Sequence, residues 1–143
     1  MREILFRAKR IDNGEWVSGY YVYDYAHNAH FIFKNQFVCP NCINDRRIDY
    51  SVCDYEIDPD TLCQYTGLKD KNGNRIWEND ILQNARNNDL YTVKWHGSFG
   101  MYAWSKRKEN NKHIFDYGDL YLMNRKCVVI GNIFDDPELL KGE

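Results

Sequence analysis

Apolar and polar positions alternate in short runs along this chain, and clusters of turn-forming residues separate the runs. Ile4 to Ala8 alternates as a strand does, with Leu5 facing one way and Ile4 and Phe6 the other. Asp12-Asn13-Gly14 is a hairpin signal, and Trp16 to Tyr23 continues as the partner strand. Gly19 interrupts that strand and marks a bulge or the close approach of another backbone. Ala26-His27-Asn28-Ala29 turns the chain and His30 to Phe33 returns it, so the first 38 residues read as a three-stranded meander. Phe37 to Arg47 is loop-like, with Pro40, Asn41, Asn44 and Asp45, and Tyr50 to Ile57 alternates again. Asp58-Pro59-Asp60-Thr61 reads as a turn or a single helical turn, with Pro59 pre-set for its first position.

The densest turn logic lies in Gln64 to Leu82. Gly67 closes a short β-prone pair, and Asp70-Lys71-Asn72-Gly73-Asn74 collects residues that tolerate positive φ and bond their own backbone. Leu68 to Trp77 is therefore a predicted β-hairpin, Glu78-Asn79-Asp80 a second tight turn, and Ile81-Leu82 the opening of another strand. Strands follow over Ile81 to Ala85, Leu90 to Trp95, Phe99 to Trp104 and Val128 to Phe134. Lys106 to Lys112 reads as a solvated loop, Asp119 to Met123 as a short helix or strand, and Asp136-Pro137-Glu138 as the start of a short terminal helix.

Tyr65-Thr66-Gly67-Leu68-Lys69-Asp70-Lys71-Asn72-Gly73, followed by Ile76, Glu78 and Asp80-Ile81, resembles the signature of the YopX family of phage and prophage proteins. Arg2-Glu3-Ile4, Phe6-Arg7-Ala8, Asp58-Pro59, Val93 to Trp95 and Val129 to Ile133 extend the resemblance over most of the chain. Asn79 departs from the family's usual Gly, and Asp24 to Asp54 matches poorly. The resemblance implies a mainly β fold: a C-terminal barrel of the Src-homology-3 type over residues 58–143, after an N-terminal antiparallel β-sheet region over residues 1–57. It carries no catalytic residue.

Composition narrows the function classes. The chain has 143 residues, 15% of them aromatic, and a formal net charge of −2. Residues 1–57 hold seven Lys/Arg against eight Asp/Glu and residues 58–143 twelve against thirteen, so neither part has the basic excess that phosphate-backbone binding draws on. No apolar run reaches the roughly 18 residues of a membrane span, and the start of the chain is not a secretory signal. The expectation is a cytoplasmic protein without a membrane partner. Five Cys, an odd number, point to reduced thiols or a metal rather than to disulfides.

Candidate chemistry is sparse. Cys39-Pro40-Asn41-Cys42 has the form of half a structural zinc site, with Cys53 and a His such as His27 or His30 as further ligands; the alternative is ordinary reduced thiols on a variable loop. His27, His30, His96 and His113 fall in no metal-helix spacing, and no phosphate loop or nucleophile elbow occurs. The aromatics Trp77, Tyr91, Trp95, Tyr102 and Trp104 carry more weight, as either core or an exposed binding surface, with Lys106, Arg107 and Lys108 as the accompanying cations. The leading expectation is a non-catalytic protein-interaction module, with self-association as one form of it. The alternatives are nucleic-acid binding through the aromatics and the Lys106–Lys112 loop, and a Cys-based metal or redox protein. No cofactor is expected outside that zinc alternative.

Overall fold

The computed structural model describes residues 3–33, 54–108 and 111–141; at residues 54, 107–108 and 111–116 it describes the backbone alone. The chain divides into two compact units, Met1–Gln64 and Tyr65–Glu143.

In the first unit, β1 (Phe6–Lys9), β2 (Trp16–Asp24), β3 (Ala29–Phe33) and β4 (Asp54–Glu56) pair antiparallel in chain order. The three-stranded meander read from the sequence is present, and the turn at Asp58 is a single 3-10 turn, Pro59–Thr61, capped by the Asp58 side chain. Gly19 is a close-approach position: a Cβ there would fall 1.9 Å from the carbonyl oxygen of Phe33. Ala8, Val17, Ile32 and Ile57 form the buried core of this unit. β5 (Cys63–Lys69) begins beside β1, with Phe6 opposite Gln64, and runs across the division into the second unit.

There β5 pairs with β6 (Arg75–Trp77), and the remaining strands are β7 (Asp80–Asn84), β8 (Leu90–His96), β9 (Met101–Lys108), β10 (Asn111–Asp119) and β11 (Cys127–Asn132). A four-residue helix, α1 (Leu120–Met123), follows β10, with the Asp119 carboxylate accepting from the Tyr121 N–H as its cap. Ile76, Leu82, Tyr91, Val93, Tyr102, Leu120 and Cys127 make the core, with Leu68, Trp104, Met123 and Val129 packed against it.

No barrel forms. Hydrogen-bonded order is β4-β3-β2-β1-β5-β6 in one sheet and β10-β9-β8-β7-β11 in the other, and both sheets are open. A barrel of the Src-homology-3 type requires the last strand to close on the first, and among the described residues β10 and β11 are outer strands that do not meet. Short strands with tight turns satisfy open and closed sheets equally, so the turn rhythm agreed with a closure that the pairing does not make. The predicted solvated loop is corrected in the same way. Residues 101–108 and 111–119 are paired strands, with Lys106 opposite Asp116 and Arg107 opposite Phe115, and β9 runs four residues past the predicted end at Trp104. Charge on β9 is compatible with pairing, because its neighbour β10 is the outer strand and one face of an antiparallel sheet can meet water.

Candidate interaction surface

Two regions of the second unit hold the residues singled out by sequence, and they are built oppositely. The first is the motif from Gln64 to Leu82, whose residues from Tyr65 on lie in that unit. Asp70 lies at the first position of its turn, only 6% exposed. Its carboxylate accepts from the backbone N–H groups of Asn72 and Asn74, each at 2.9 Å, and from Val129, 59 residues on, at 3.0 Å. Burial pushes the Asp70 pKa up, but the N–H donors of Val129, Asn74 and Asn72 outweigh it and leave the group below the ordinary carboxylate range. Lys71 N donates to Cys127 O at 3.0 Å and Asn124 Nδ2 to Lys69 O at 2.8 Å, so the hairpin turn is stitched to the segment entering β11.

Asp80 repeats the device at 1% exposure, with its carboxylate accepting from Trp77 N at 2.8 Å. Asn79 sits between them at φ +66, the left-handed region its replacement of Gly implies. Its N–H donates to Val93 O at 2.9 Å and its carbonyl accepts from Ile133 N at 3.0 Å. Thr66 Oγ1 donates to Ile76 O at 2.7 Å and accepts from Leu68 N at 3.2 Å across the irregularity at Gly67. The buried polar residues of the motif, Thr66, Asp70 and Asp80, thus hold backbone in place.

The second region is the β8–β9 hairpin. Val93 lies opposite Trp104 and Trp95 opposite Tyr102, which puts all four on the face of Tyr91. Tyr91 and Tyr102 are buried; Trp104 packs edge-on to Tyr91 at 5.0 Å between ring centroids and covers Gly118. Trp77, on β6, is 7% exposed and packs against Tyr65 at 5.4 Å. Trp95 stands apart at 50% exposure, edge-on to Tyr102 at 4.9 Å, where the hairpin outruns the core. On the opposite face His96, Phe99 and Tyr117 form a ring cluster, with His96 4.7 Å from Phe99 and 4.8 Å from Tyr117. Phe99 is 60% exposed and Tyr117 51%. The hairpin end therefore shows aromatic surface on both faces.

Of the cations, Lys106 Nζ pairs with Asp89 at 2.8 Å, and Lys94 Nζ bonds Asn79 Oδ1 at 3.1 Å; the side chains of Arg107 and Lys108 lie outside the described residues. Sequence reading missed Tyr117, because its segment was not recognised as a strand and so had no face.

Cys39, Cys42 and Cys53 lie outside the described residues. Cys63 and Cys127 are fully buried, and burial pushes the Cys127 thiol up to about 11, which leaves it unreactive at neutral pH. His30 accepts or donates at 2.6 Å with the Tyr21 hydroxyl, and His27 pairs with Asp24 at 2.8 Å. Among the described residues, no three His, Cys, Asp or Glu side chains group as a metal site, and no helix is long and apolar enough to cross a membrane.

These features define a mainly β protein of two open antiparallel sheets, whose signature motif is structural. The chain belongs to the YopX protein family, which it matches over residues 5–141. It is similar to the crystal structure of protein EF1440 from Enterococcus faecalis, with 25% sequence identity, a TM-score of 0.53, and coverage of 98% of this chain and 99% of that one. No match was found among curated proteins.

Proposed function

We propose that this protein is a non-catalytic interaction module of a phage or prophage, and that it engages a protein partner through the aromatic end of the β8–β9 hairpin. The observation that supports this reading is the exposure of Trp95, Phe99 and Tyr117 at one hairpin end, while the other hairpin aromatics, Tyr91, Tyr102 and Trp104, pack into or against the core. Large rings left at a surface supply contact area at low entropic cost, which is why they anchor interfaces. Nucleic-acid binding draws less support. The described residues of the loop invoked for it, 106–108 and 111–112, belong to two paired strands, and Lys106 pairs with Asp89.

The test is a capture experiment from cells carrying the native phage or prophage, recovering protein and nucleic acid together, with wild type and the Trp95→Ala/Phe99→Ala variant in parallel. A protein held by the wild type and lost by the folded variant supports the reading. Equal capture by both removes the hairpin end from it, and nuclease-sensitive, salt-sensitive recovery of nucleic acid replaces it with the second reading.

A further inference from the structure

The chain contains two Asn-Gly pairs, Asn13-Gly14 and Asn72-Gly73, and both lie at hairpin turns with the glycine at positive φ. An asparagine followed by glycine is open to intramolecular attack, since no Cβ shields the following backbone nitrogen. That nitrogen bonds to the Asn side-chain carbonyl carbon, ammonia leaves with the displaced proton, and a succinimide results. Water then opens the ring to aspartate or to isoaspartate, whose backbone is one methylene longer. No oxidant or other reactant is needed.

Both glycine nitrogens are held in a similar way in the folded protein. Gly14 N donates to Arg10 O at 3.0 Å and Gly73 N to Asp70 O at 3.1 Å, so each must give up one bond before it can turn on its neighbour. The asparagine side chains differ. Asn13 is held at both ends: Oδ1 accepts from Glu15 N at 2.9 Å and Nδ2 donates to Glu15 Oε2 at 3.3 Å. The Asn72 side chain is exposed and, among the described residues, makes no hydrogen bond; only its backbone N–H is engaged, by Asp70. The strands behind the turns also differ. β6 has three residues and, among the described residues, pairs on one side only, whereas β2 behind Asn13 has nine and is flanked by β1 and β3.

We propose that Asn72 is a site of spontaneous conversion to aspartate and isoaspartate in the folded protein, and that Asn13 is spared. The consequence follows from the turn's geometry. An added methylene between positions 72 and 73 displaces the Gly73 and Asn74 N–H groups from Asp70, whose carboxylate also holds Val129. The motif hairpin then loosens from β11.

The experiment ages the folded full chain at mildly alkaline pH and maps peptides by mass spectrometry, reading the amide-to-acid mass gain and the isoaspartyl linkage at each site. Conversion at Asn72 well ahead of Asn13, abolished by Asn72→Gln, with a lowered melting temperature of the aged wild type, is the expected result. Conversion at Asn13 as fast as at Asn72 overturns the proposal. So does an unmodified Asn72 under conditions in which the denatured chain converts at both sites.

Discussion

From Tyr65 on, the motif that ends at Leu82 shares a unit with the end of the β8–β9 hairpin, and the two show opposite use of residue type. In the motif, two carboxylates are inside: Asp70 and Asp80 are 6% and 1% exposed, and they accept hydrogen bonds from backbone N–H groups. At the hairpin end, large rings are outside. A buried carboxylate is costly unless its hydrogen bonds are made, so its presence marks a structural task. An exposed ring has no such task in the fold. The family signature is thus a folding device, and the candidate for function lies in residues that the fold does not need.

The comparison breaks most readily at Trp77. Trp77→Ala leaves a large cavity beside Tyr65, and about 3–5 kcal/mol of stability is expected to go with it, read as a shift of the urea midpoint. Loss of partner capture in that variant would report unfolding. Asp70→Ala comes next, at about 3 kcal/mol, since three backbone donors lose their acceptor. Asp70 also sets a pH dependence. Its folded pKa is depressed, so its contribution is fully present above the unfolded value of about 3.9 and is lost as pH falls through the folded one. A urea midpoint measured from pH 6 downward should fall less steeply in Asp70→Asn than in wild type.

Asn79→Ala should cost about 1 kcal/mol, because alanine pays for positive φ, while Asn79→Gly should stay within about 0.5 kcal/mol of wild type. Equal costs for the two would show that the Lys94 contact, and not the backbone, holds that turn. The smallest effect on stability is expected for Trp95→Ala/Phe99→Ala, under about 1 kcal/mol by thermal melting, since both rings are at least half exposed. A loss of several kcal/mol would place these rings among the structural residues and end the contrast.

Much of the strand order along the chain was legible because turn chemistry is local. Asp12-Asn13-Gly14, Asp70 to Asn74 and Glu78-Asn79-Asp80 each declare a reversal within a few residues, and the strands between them follow. Charged strands were not legible. Lys106, Arg107 and Lys108 carry no apolar alternation, and only pairing with β10 shows that they are strand. Of the candidate aromatics, the face was legible and the depth was not: Tyr91, Val93 and Trp95 alternate correctly, yet Tyr91 is buried and Trp95 half exposed.

The sequence by itself determined the family, the mainly β class and the positions of the reversals, since these rest on contacts within a few residues and on φ preferences of single residues. Tertiary structure alone decided that the sheets stay open, that Asp70 reaches Val129 across 59 positions, and that Trp95 lies past the edge of the core. Each of those depends on which strand meets which and where the packed layer ends, and such long-range pairings leave no mark on the local pattern of the chain.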